Sequence, residues 1–140
     1  MDEQQNTKLI QDCYSAFLRG DIPAVLGMMS DDMDFYVPGD GAFPTAGHRR
    51  GLAEMQEFFR TLNDSVRFDA FEPLNFVAQG DLVVVLGRYT GTAKPTGRNF
   101  TMEWAMAWTV RQGKIVKFQE YTDTLAGARA FQMEGASATV

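Results

Sequence analysis

The 140-residue chain holds one cysteine, Cys13, and one histidine, His48. A lone cysteine forms no intrachain disulfide, so the fold must rest on its core. One histidine without a neighbouring pair of carboxylates is a poor metal site, and no metal is expected. Basic residues are also scarce: 13 Lys and Arg against 18 Asp and Glu leave a net charge of -5. With no basic stripe, a nucleic-acid backbone is not an expected partner. No apolar run approaches the ~18 residues of a membrane span. The stretch Met1–Asn6 is polar and acidic and lacks the regions of a signal peptide, so a cytoplasmic protein is expected. There are no internal repeats and no low-complexity segment.

What the chain does have is apolar content, 45% of its residues. A chain of this length buries roughly 68–70% of its unfolded surface, enough for a core without staples. One domain over residues 1–133 is expected, with 134–140 as a flexible tail.

Asp2 and Gln5 have the spacing of a capping box. Leu9, Ile10, Cys13, Tyr14, Phe17 and Leu18 follow at helical spacing, and Gly20 ends that helix. Asp21 caps a short second helix with Pro23 in its first turn. A strand runs from Asp34 to Pro38. Residues 39–51, with four glycines and Pro44, read as a rim loop. Leu52, Met55, Phe59 and Leu62 define a third helix.

The pattern then changes to strands. Val66–Ala78 is the first, bent near Pro73, and Gln79-Gly80-Asp81 turns the chain. The run Leu82–Leu86 is apolar on both faces, which demands cover on both. After a turn at 94–98, two long strands flank Arg111-Gln112-Gly113-Lys114. The first puts Met102, Trp104, Met106, Trp108 and Val110 on one face. The second ends in Glu120, Tyr121 and Asp123. Leu125–Phe131 reads as a closing turn of helix. The order predicts an α+β cone: three N-terminal helices packed on a curved, mainly antiparallel sheet. The doubly apolar strand predicts a homodimer through the outer sheet face. An apolar wall beside carboxylates predicts a pocket for a small hydrophobic molecule.

The chain resembles the SnoaL-like branch of the nuclear transport factor 2-like superfamily, which includes ketosteroid isomerase. The resemblance spans nearly the whole chain. It is carried by Tyr14-Ser15-Ala16-Phe17 with Gly20-Asp21, Tyr36-Val37-Pro38-Gly39, Arg50-Gly51, Phe76–Asp81, Thr96-Gly97-Arg98, Trp104, Gly113–Val116 and Phe118–Asp123. A ketosteroid-isomerase mechanism would need an aspartate at Val37, a tyrosine near Cys13 or Tyr14, and an acid near Ala105 or Met106. Steroid isomerisation is therefore not expected. A limonene-type epoxide hydrolase site would use Glu120, with Arg88 after a one-residue shift, but its second carboxylate has no counterpart. The polyketide cyclases of this branch imply Asp123 as general base and a histidine where Met106 stands.

These comparisons and the residues themselves give the candidate site. Asp123 is the expected base, with Glu120 as helper. Their three-residue spacing puts them on opposite faces of a regular strand, so one faces the pocket unless a bulge intervenes. Tyr14, Tyr36 and His48 are candidate donors. Arg88, Trp104, Met106 and Trp108 are candidate ligand contacts. No cofactor is expected. The implied functions are acid–base catalysis of isomerisation, cyclisation or dehydration, or ligand binding by the same cone without chemistry. A protein-interaction scaffold is a third reading, disfavoured because self-association already claims the outer face.

Overall fold

The computed structural model describes residues 2–132. The expected tail at 134–140 lies outside the described residues. Helix α1 spans Glu3–Leu18 and opens on the expected box: the Asp2 carboxylate accepts from Gln5 N at 2.8 Å, and the Gln5 side chain accepts from Asp2 N at 3.0 Å. Its inner face buries Ile10, Cys13, Tyr14 and Ala16. Helix α2 spans Ile22–Gly27, capped by Asp21 on Ala24 N. Strand β1 (Met29–Val37) begins five residues earlier than its apolar core suggests. Met29 and Met33 are buried there, while Asp31 and Asp32 between them face outward.

The expected rim loop 39–51 is shorter than predicted. Gly47–Arg50 forms an edge strand, β2, antiparallel to β1, with His48 opposite Tyr36. An edge strand needs little apolar content, because charged side chains protect its free side. Helix α3 (Gly51–Ser65) packs Met55 and Phe58 into the core.

Four long strands follow: β3 (Val66–Gln79), β4 (Leu82–Ala93), β5 (Arg98–Arg111) and β6 (Lys114–Thr122). Strand β3 bulges beside Pro73, which has no N–H for the ladder. The β5–β6 turn places Gln112 at φ 51° and Gly113 at φ 75°, the pair of positive values that a tight hairpin turn requires. The strand order is β2-β1-β6-β5-β4-β3, with β1 and β6 parallel and the other neighbours antiparallel. Helix α4 (Thr124–Phe131) closes the described chain. No described helix is long and apolar enough to cross a membrane.

The inner sheet face and the helices enclose the core. Trp104, Met106 and Trp108 all point inward, as period two predicts, and each is at least nine-tenths buried. Gly87 lets Trp104 lie across the sheet: a Cβ there would sit 2.5 Å from the indole and 2.4 Å from the Glu72 carbonyl. The outer face carries Val77, Val84 and Ala107 in one cross-strand row and Leu86, Ala105 and Tyr121 in the next. Val77, Leu86 and Tyr121 remain exposed.

Candidate active site

Strand β6 alternates Phe118, Glu120 and Thr122 into the cone. Glu120 is thereby carried onto the inner face, opposite Met106 of β5, and is only 6% exposed. It faces a cavity of about 110 Å³ between the sheet and the helices. Phenylalanine, tyrosine, tryptophan and methionine side chains make most of the wall, and among the described residues no Lys, Arg or His lines it. Among the described residues Glu120 is the one carboxylate of the lining.

Tyr89 on β4 donates its hydroxyl to Oε2 of Glu120 at 2.8 Å. Burial pushes the Glu120 carboxyl up to about 7, and the Tyr89 hydrogen bond offsets part of that rise. Burial pushes the Tyr89 phenol well up as well, with the nearby carboxylate adding to it. The pair therefore consists of a neutral phenol donor and a carboxyl that changes charge near neutrality. That is the range in which a general acid–base group works best.

A second polar unit lies next to it. Trp108 donates its indole N–H to the Tyr14 hydroxyl at 3.0 Å, and Tyr14 donates in turn to the Met106 thioether at 3.1 Å. A thioether is a weak acceptor. A ligand oxygen in its place would form a stronger bond with a phenol already oriented by Trp108. Burial pushes the Tyr14 phenol well up, so it stays a donor. Cys13 also lines the cavity, but burial pushes its thiol up to about 12, which makes it a poor nucleophile.

Of the residues proposed from sequence, the structure brings Glu120, Tyr14, Met106 and Trp108 together at the cavity. Trp104 is buried one layer behind, 6.1 Å from the Tyr14 ring and 6.0 Å from the Tyr89 ring. Its indole N–H has no hydrogen-bond partner among the described residues.

The other candidates sit elsewhere, for identifiable reasons. Asp123 lies one residue past β6, is exposed, and caps α4 by accepting from Ala126 N at 2.9 Å. The strand has ended before it, and the helix start claims its carboxylate. Tyr36 projects from the outer face of β1, edge-on to His48. His48 pairs with Asp34, whose carboxyl is held below its usual range chiefly by that hydrogen bond. Arg88 faces outward and pairs with Glu72 at 3.0 Å, because even-numbered positions of β4 point away from the cone.

Tyr89 and Thr122 were not identified from sequence. In the structure Tyr89 shares a face with Val83 and Val85, and Thr122 with Phe118 and Glu120. The Thr122 hydroxyl donates to the Glu103 carbonyl at 3.0 Å, so its donor is spent on the backbone. Among the described residues no three His, Cys, Asp or Glu side chains cluster as a metal ion would need.

A conical α+β fold encloses an aromatic cavity with a buried carboxyl. The chain belongs to the SnoaL-like domain family, which matches residues 10–118, within the NTF2-like superfamily. An NTF2-like protein from Burkholderia xenovorans LB400 is 38% identical, with a TM-score of 0.87 over 94% of this chain and 99% of that one. An NTF2-like protein from Burkholderia thailandensis E264 is 32% identical, with a TM-score of 0.84 over 95% of this chain and 100% of that one. TerC, co-crystallised with polyporic acid, is 28% identical, with a TM-score of 0.79 over 90% of this chain and 97% of that one. Among proteins with curated descriptions, none matches the chain.

Proposed function

We propose that this protein binds a small, uncharged, largely apolar molecule and performs acid–base chemistry on it, with Glu120 as the proton-transfer group. The observation that carries this reading is a single carboxyl, 6% exposed, inside an apolar cavity with its pKa raised to about 7. Ionised Glu120 takes a proton from a carbon next to a ligand carbonyl, giving a carboxylic acid and an enolate. Tyr14 donates to the enolate oxygen, and Glu120 returns the proton to the same or a neighbouring carbon. Isomerisation, aldol-type cyclisation and dehydration all begin with this abstraction. The role first sought in Asp123 thus passes to Glu120. An anionic ligand is disfavoured, because among the described residues no lining side chain carries positive charge. TerC, co-crystallised with polyporic acid, supports a small-molecule pocket in this fold.

The test uses 2-tetralone, a neutral bicyclic ketone with acidic α-protons, in D2O. NMR should show α-proton exchange accelerated ~100-fold or more by the protein, the usual scale of general-base catalysis. Glu120→Gln should return it to the buffer rate. Binding without acceleration would sink the catalytic reading and leave a ligand carrier. That second reading is favoured by one observation: among the described residues the lining offers Glu120 no companion histidine or carboxylate.

The reading includes a second copy of the chain. The apolar rows Val77–Val84–Ala107 and Leu86–Ala105–Tyr121 form a continuous outer surface, and a two-fold axis would lay it against itself.

A further inference from the structure

The loop at 38–46 reaches the cavity through Phe43 and Thr45. Phe43 is half-buried, with one side on the cavity and one toward solvent. Its ring is seated between two backbones. A Cβ on Gly39 would come within 2.6 Å of that ring, and a Cβ on Gly127 of α4 within 2.8 Å. Both positions therefore have to lack a side chain for the ring to lie where it does.

The two sides of this seat are not equally fixed. Helix α4 is fastened at both ends. Asp123 caps its start, and near its end the Arg129 carbonyl accepts from Arg98 at 2.9 Å and the Ala130 carbonyl accepts from Thr96. The loop is tied by backbone turns at Gly39–Ala42 and Phe43–Ala46, and by Arg49 donating to the Pro44 and Thr45 carbonyls. The Phe43 side chain itself is held by packing alone, against Gly39, Gly127 and, at 6.3 Å between centroids, Phe131.

We propose that Phe43 controls access to the cavity and sets the size of ligand it admits. Its ring swings off Gly127 to open a mouth beside the fixed wall of α4. Closed again, it bounds the ligand on that side. The size-selecting half rests on the ligand-binding reading above, whereas the access half does not.

Cys13 provides a reporter, since it is the sole cysteine and lines the same cavity. Phenylmercury, a flat aromatic thiol reagent, is added to the intact protein and its attachment is followed by mass spectrometry. Phe43→Ala should react about tenfold faster than wild type or more, as expected when a local opening rather than global unfolding limits access. Phe43→Leu should fall between them and covers the case where the alanine variant folds poorly. Val83→Ala is the control, because Val83 is fully buried but does not line the cavity. If Phe43→Ala reacts no faster than Val83→Ala, the proposal is overturned. It is equally overturned if Phe59→Ala accelerates the reaction and Phe43→Ala does not, since the mouth would then lie between α1 and α3. Added 2-tetralone should slow labelling in both wild type and Phe43→Ala. If it slows neither, the ligand-binding reading fails, while the comparison of labelling rates still decides access. Size selection is read with pyrene, which should quench tryptophan fluorescence in Phe43→Ala and not in wild type. Equal quenching in both would overturn that half.

Discussion

Glu120 accepts a hydrogen bond from the Tyr89 hydroxyl at 2.8 Å, and both side chains lie inside the cone. A carboxyl in that position binds its proton more tightly folded than unfolded. Its folded pKa is about 7 against an unfolded value of 4.5. Folding is therefore favoured most below about 4.5, and stability falls as pH rises through 7. The full loss is on the order of 3 kcal/mol. Glu120→Gln keeps an acceptor for Tyr89 and removes the titration. Urea unfolding near pH 5 and near pH 8 should show wild type weakening across the window and the variant flat. Asp34 titrates with the opposite sign and below this window. A wild-type profile as flat as the variant's would mean that Glu120 is not desolvated.

The two tryptophans of β5 should respond differently to truncation. Trp108→Phe strips Tyr14 of its orienting donor, whereas the Trp104 N–H has no partner to lose among the described residues. Trp108→Phe should cost about 1 kcal/mol more than Trp104→Phe in chemical denaturation. It should also slow the 2-tetralone exchange more. Equal losses would show that the Tyr14–Trp108 bond contributes nothing beyond packing.

Asp123 should behave as a helix cap and nothing more. Asp123→Ala removes the acceptor of Ala126 N and should lower stability by about 1 kcal/mol. Asp123→Asn, which still caps, should be near neutral. Neither should change proton exchange on 2-tetralone. Loss of exchange in a folded Asp123→Asn protein would return the base to Asp123.

Leu86→Lys should produce a monomer. The side chain is 46% exposed on the outer face, so the fold should tolerate the change within ~0.5 kcal/mol. Sedimentation equilibrium should give about twice the chain mass for wild type and the chain mass for the variant. An unchanged mass would place the association elsewhere.

The strands, the capping box and the inward register of Trp104, Met106 and Trp108 were readable because each follows from local periodicity or cap chemistry. Strand parity separated Glu120 from Asp123, but Asp123 lies past the end of β6 and is placed by its capping of α4. Which of the two faces inward was equally a matter of counting from Phe118, but family precedent pointed to Asp123. The edge strand β2 was not readable: Gly-His-Arg-Arg has no apolar alternation, and its pairing is set by β1. Arg88 and Tyr36 were placed wrongly for a related reason. Each is flanked by apolar residues, and the side such a residue takes depends on the sheet's registration. Phe43 gave no signal, since its seat is made by glycines 4 residues before it and 84 residues after it.

The parallel pairing of β1 with β6 has a consequence for biogenesis. Strand β6 joins residues near 35 to residues near 118, so the sheet's central seam closes only after most of the chain has been synthesised. Until then β1 and β5 each have an open edge, and the aromatic face that becomes the cavity wall is bare. Such long-range closure is slow and prone to aggregation. Glu120 sits on β6, so the cavity's carboxyl and the joining of β1 to β5 arrive with the same strand. A nascent chain stalled before β6 would leave the inner faces of β1 and β5 uncovered and would lack Glu120.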